Sequence, residues 1–180
     1  MVFFDRNFKE IFISQLVSIT GGLIVGTILA SYTDKLLLIP GMLILLPGFL
    51  EMRGNISGSL ASRLSSGLFL KVINPRRVNS RIIKGNVLAS LFLAIFISFM
   101  LGILACVFTY IFSHVYYPKI ILVPVIAGII ANMIEIPLTI FFTLFFFRKG
   151  HDPNNIMGPF VTSTGDVTSV LSLLLVLFII

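Results

Sequence analysis

The chain has no tryptophan, one cysteine and only seven acidic side chains in 180 residues. A lone cysteine, Cys106, excludes an intrachain disulfide and a thiolate metal site. His114 and His151 lie in loops without ligand spacing, so neither marks a metal site. Charged residues make up 11% of the chain, against about 25% in soluble domains. That is too few to coat a water-facing surface. With 57% hydrophobic residues and a mean hydropathy of +1.09, the composition is that of an integral membrane protein. Without tryptophan, an aromatic belt has to use Tyr32, Tyr116, Tyr117 and phenylalanine. The net charge of +6 does not indicate nucleic acid, because the basic residues are divided among loops.

What is present is a set of long apolar runs. A spanning helix needs about 20 mostly apolar residues. Five runs qualify, at about 11–31, 36–70, 82–113, 119–147 and 158–180. They are continuous rather than alternating and too long for barrel strands, so the expected fold is all-α with five transmembrane helices. MVFFDRNFKE runs directly into the first of them without a small-residue cleavage site, which reads as a first helix rather than a removed leader. The connections are too short to fold on their own. Basic residues gather in three segments: Arg6 and Lys9; Lys71, Arg76, Arg77, Arg81 and Lys84; Arg148 and Lys149. Five spans place all three on one side, leaving Lys35 and Lys119 opposite. The positive-inside rule then puts the N-terminus in the cytoplasm and Ile180 outside.

Three acids fall inside these runs: Glu51, Glu135 and Asp166. An aspartate at the bilayer centre costs about 2.5–3.5 kcal/mol on insertion scales, so such a residue faces a cavity or a partner. Gly158, Thr162, Asp166 and Ser169 share one helical face, a small and polar stripe that suits the wall of a wet path. Structural pairing of Asp166 with an arginine is the competing reading. Glu51, Asn55, Ser59, Ser62 and Ser66 form a second stripe, and Gly54 and Gly58 let another backbone approach. Pro40-Gly41 and Pro47-Gly48 predict a bent helix ahead of it. Glu51 and Arg53 are two residues apart and cannot face each other. Asn132, Glu135, Thr139 and Thr143 share a face of the fourth span. There Glu135 is a second acidic site or the partner of Arg53 or Arg63. Gly22 and Gly26 in the first span read as packing positions.

PGFLEMRGNISGSLASRLSSGL, from Pro47 to Leu68, resembles the Gly-Asn motif and Ser-Arg-Leu segment of the MgtE and solute-carrier-family-41 magnesium transporters. HDPNNIMGPFVTSTGD, from His151 to Asp166, is similar to the last-span motif of that family: Asp-Pro-x-Asn, then Pro, then a Thr/Ser pair leading to Gly-Asp. The resemblance implies a five-helix integral membrane domain that is used twice per transporter, here as a parallel homodimer in the lipid bilayer. It implies a hydrated divalent cation, Mg2+, as the transported ion, with no organic cofactor. It places the cation-coordinating carboxylate on Asp166 and the Gly-Asn motif on Gly54 and Asn55. The bacterial members carry a cytosolic domain and paired magnesium-sensing domains, where this sequence has about ten residues before its first span. The expectation is regulation without that gate.

Mg2+ binds hard oxygens, wants octahedral geometry and gives up its waters reluctantly, so a path for it needs few carboxylates and room for water. Asp166, flanked by Thr162, Ser169 and the backbone at Gly158, fits that sparse pattern. No soft-ligand cluster points to Zn2+ or Cu. Five helices alone hardly enclose a hydrated ion, which points to a homodimer with two Asp166 side chains near the shared axis. A channel needs one continuous wet path, whereas an exchanger needs a second ion site, for which Glu51 and Glu135 are the candidates. Two other classes compete. S-T-G-D resembles the G-x-G-D motif of intramembrane aspartyl proteases, but Ser163 replaces the first glycine. That chemistry also needs two aspartates sharing a proton, and Asp5, Asp34 and Asp152 read as loop residues. A non-transporting membrane subunit predicts an Asp166 face packed dry against an arginine.

Overall fold

The computed structural model describes residues 6–78 and 80–178. Asp5 and the last two residues of the final apolar run therefore lie outside the described residues. Six α-helices follow one another: α1 (Arg6–Ser31), α2 (Thr33–Leu37), α3 (Met42–Phe69), α4 (Arg81–Ser113), α5 (Leu122–Arg148) and α6 (Pro153–Leu177). A 3-10 turn, Pro118–Ile121, leads into α5. No strand occurs among the described residues. Four helical segments are long and apolar enough to cross a membrane: α1, α4, α5 with its leading turn, and α6. α3 is equally long, but Glu51, Arg53 and Arg63 interrupt its apolar character.

The helix boundaries follow local chemistry. Ser80 caps α4, its hydroxyl accepting from the Ile83 amide at 3.2 Å. Asp152 caps α6 by accepting from the Asn154 amide at 2.9 Å, and Pro153 takes the first helical position, where no N–H is needed. α6 therefore begins earlier than the apolar run at 158 suggests, because the cap and not hydropathy sets its start. The expected second span from 36 is likewise divided. Asp34 sits in the short α2 rather than in a loop, and the chain reverses at Pro40-Gly41 before α3. Gly41 has φ of 83°, and a Cβ there would collide with the Thr109 hydroxyl. Pro47 lies inside α3 without ending it.

α6 is the central helix. It packs on α1, α3 and α5, while α4 closes over α3 and α5. α1 packs almost entirely against α6. Pro159 cannot donate to the Asn155 carbonyl four residues back, and the Ser14 hydroxyl of α1 lies 3.1 Å from that carbonyl, its one proton shared between it and the Ile11 carbonyl at 2.8 Å. The close approach of α1 falls at Gly21, whose missing Cβ makes room for Ser163. Gly22 and Gly26, expected to pack, point into open space.

Hydrogen bonds gather the three basic segments at one end of the bundle. Arg148 Nε donates to the Pro75 carbonyl at 2.7 Å, and the Arg6 guanidinium donates to the Gly150 carbonyl. Glu10 joins the same end, 2.8 Å from His151 Nδ1 and 3.0 Å from Arg6 Nε. Lys35 lies at the other end, its ammonium 4.9 Å from the centre of the Phe178 ring. The largest apolar cluster occupies that half, where Met42, Leu45, Leu46 and Phe49 of α3 meet Val170, Leu173 and Leu174 of α6.

A candidate cation cleft between two helices

The polar stripe of α3 is exposed along its length. Glu51, Asn55, Ser59, Ser62 and Ser66 recur every three or four residues and face outward, while Met52, Ile56, Leu60 and Leu64 point into the protein. Opposite its first half lie Gly158, Thr162 and Asp166 of α6. Together the two helices form an open cleft of about 570 Å³. α3 contributes Pro47, Leu50, Glu51, Gly54, Asn55, Gly58 and Ser59 to its walls.

Within the cleft, Asn55 Nδ2 donates to Glu51 Oε1 at 3.0 Å. Thr162 turns its proton back to the Gly158 carbonyl at 3.0 Å, leaving its oxygen lone pairs for a ligand. Asp166 is half-buried and within coulombic range of Glu51. Among the described residues, none donates a hydrogen bond to Asp166 and none forms an ion pair with it. The cleft is open because three wall positions are glycine. A Cβ on Gly58 or Gly158 would meet nothing within 4 Å, and one on Gly54 would meet only Thr162 Oγ1, at 3.9 Å.

Ser169 does not line this cleft. It is fully buried, and its hydroxyl has no hydrogen-bond partner among the described residues. Angle alone places it on the Asp166 face, but the cleft has closed one turn beyond Asp166, where the apolar half of α3 packs on Val170 and Leu173. Glu135 is also apart from the cleft. It is fully buried on α5, behind α6, with Thr164 Oγ1 2.9 Å from Oε1 and Thr168 Oγ1 3.4 Å from Oε2. Arg53, two residues from Glu51, points the other way. It is fully buried, donates to Asn132 Oδ1, and lies within coulombic range of Glu135 without an ion-pair contact. Arg63 donates instead to the Ser90 hydroxyl at 3.2 Å. Nothing short of the fold could have assigned these arginines, because their partners are 79 and 27 residues away.

No group of three or more His, Cys, Asp or Glu side chains stands together among the described residues. The cleft instead offers two carboxylates and several neutral oxygens. A hard cation that keeps its waters can use such a set through hydrogen bonds from the waters.

A family profile described as a divalent cation transporter, MgtE, matches residues 46–176. The chain belongs to the MgtE family. The match begins just before the cleft segment of α3 and ends within the last turn of α6, so it contains every residue of the cleft wall. Comparison with curated proteins gives no match. With its apolar helices, this MgtE-family chain is a multi-pass membrane protein of a divalent cation transporter family, not of an enzyme family.

Proposed function

We propose that this chain carries Mg2+ across the membrane through a path made where two copies bring their α3–α6 clefts together, with Asp166 as the central carboxylate. The observation that carries this reading is the uncovered polar face of α3 beside Asp166. The exposed faces of α1 and α4 carry large apolar side chains instead, among them Leu23, Leu88, Phe92 and Phe112. An exposed row of glutamate, asparagine and serines is costly against lipid, and a second copy with trapped water removes the cost.

In this reading residues 1–180 act as one integral membrane domain with α3 as its second of five spans. The basic end faces the cytoplasm, which puts the N-terminus inside. Two copies inserted in the same orientation bring together two Asp166 and two Glu51 side chains. Six waters at about 30 Å³ each need about 180 Å³, so even one half-cleft of about 570 Å³ accommodates a hydrated Mg2+. Asp166 then attracts the ion through its water shell. Thr162 and Asn55 present oxygens to the same shell, and the backbone at Gly158 is reachable because no side chain covers it.

The test is Mg2+ uptake into proteoliposomes by wild type and Asp166→Asn, with the oligomeric state measured on the same samples. Loss of uptake in an intact dimer supports the path. Wild-type uptake in Asp166→Asn removes Asp166 from it. A folded wild type that takes up no divalent cation points instead to a non-transporting subunit of a larger complex.

A further inference from the structure

α3 and α6 carry their cleft residues and their buried polar contacts on opposite faces. On α3, Arg53 stands between Glu51 and Asn55, two residues from each. Two residues turn a helix by about 200°. Glu51 and Asn55 therefore face the cleft while Arg53 faces α5. On α6 the order is mirrored. Asp166 stands between Thr164 and Thr168, so the aspartate faces the cleft while both threonines meet Glu135 on α5. Both rear contacts end on one face of α5, at Asn132 and Glu135, three residues apart.

We propose that Arg53, Asn132 and Glu135 are positioning residues that clamp α3 and α6 from behind, fixing helix rotation so that Glu51, Asn55, Thr162 and Asp166 share one cleft. That this matters for transport rests on the ion-path reading above. The rotation itself does not. Every member is buried, with Arg53 and Glu135 fully so and Asn132 1% exposed. The amide of Asn132 is itself held, donating to the Gly128 carbonyl at 2.7 Å, so its oxygen is presented to Arg53 in a fixed orientation. Glu135 is the carboxylate within coulombic range of Arg53. It also feels Asp166, more weakly. A buried guanidinium within coulombic range disfavours a second cation there, which assigns Glu135 to offsetting the charge of Arg53 rather than to binding the transported ion. Gly165 lies on the face of α6 turned to Glu135: a Cβ there would stand at ordinary contact distance, 3.8 Å, from Oε1.

The test separates rotation from ion binding. Cysteines at Gly54 and Thr162 report the gap directly, since a Cβ at 54 lies 3.9 Å from Thr162 Oγ1. Their oxidative cross-linking is measured in wild type, Arg53→Gln, Glu135→Gln and the charge-balanced double variant, alongside Mg2+ uptake without the cysteines. We expect each single variant to slow cross-linking and to raise the KM for Mg2+ about tenfold, as small misplacements of a site do. The double variant should return both to within about twofold of wild type, because it removes both buried charges together and leaves neither uncompensated. If a single variant fails to fold, a folded double with wild-type cross-linking carries the proposal. The clamp is overturned if the singles cross-link like wild type, if uptake stays lost in a double whose cross-linking is restored, or if the double also fails to fold. A wild type without uptake whose cross-linking still follows this pattern refutes the ion path and leaves the clamp standing.

Discussion

Two polar regions share the same pair of helices and differ in almost every physical respect. In front, Glu51 and Asn55 are exposed and Asp166 is half-buried, lacking any arginine partner among the described residues. Behind, Arg53, Asn132 and Glu135 are sealed and answer one another across three helices. A buried polar group is tolerated when it is paired or hydrogen-bonded. The rear region meets that condition in part within one chain: Arg53 Nη1 and the Glu135 carboxylate have partners there, while Arg53 Nε and Nη2 have none among the described residues. The front region does not, so its partner has to come from outside: water, an ion or a second copy.

Substitutions break this contrast in a definite order. Asp166→Asn removes a front charge with little change in volume. We expect Mg2+ uptake to fall at least ~100-fold with the fold intact, since unit charges about 4 Å apart at an effective dielectric near 20 interact by about 4 kcal/mol. Circular dichroism and size-exclusion profiles should match wild type. Next comes filling the cleft. Gly58→Leu adds a side chain where a Cβ meets nothing within 4 Å, so each copy should fold normally while uptake drops about tenfold or more through occlusion. Glu135→Gln acts behind the cleft and should weaken uptake less than Asp166→Asn. Its clearer signature is thermal stability. Removing the carboxylate within coulombic range of the buried Arg53 should lower the melting temperature, with recovery when Arg53→Gln is added. Equal loss of uptake in Asp166→Asn and Glu135→Gln, without recovery in the double, would merge the two regions into one ion site. The smallest effect belongs to Ser169→Ala. Its hydroxyl is buried, unpartnered and outside the cleft, so stability should hold or rise slightly and uptake should stay within about twofold of wild type.

Much of this arrangement is legible without the fold. Long apolar runs set out the helices, and the four-residue spacing of Glu51, Asn55 and Ser59 describes a face that does lie exposed. Asp166, Thr162 and Gly158 follow the same logic on α6. The misses have a common cause, which is that periodicity gives an angle around a helix and not what stands there. Ser169 has the angle of the cleft but the height of the apolar cluster. Gly22 and Gly26 have the spacing of a packing motif, yet α1 touches α6 through its neighbour Gly21. Arg53 and Arg63 are interchangeable by spacing as partners for Glu135. Only the fold brings α5 behind α3, giving Arg53 to Asn132 and Arg63 to Ser90. Pro40-Gly41 and Pro47-Gly48 also read alike, but only Gly41 adopts a left-handed backbone, and only there does the helix begin anew.

The central claim, that the front of α3 is wet and lines an ion path, is tested most directly by cysteine accessibility. Single cysteines are placed along α3 in a Cys106→Ser background and treated in proteoliposomes with a water-soluble thiol reagent, with and without Mg2+. Positions 51, 55, 59, 62 and 66 should react while 57, 60 and 64 stay protected, and Mg2+ should slow the reaction at 55 and 59. Protection of the whole helix, or reaction of the front stripe indifferent to Mg2+, would contradict it.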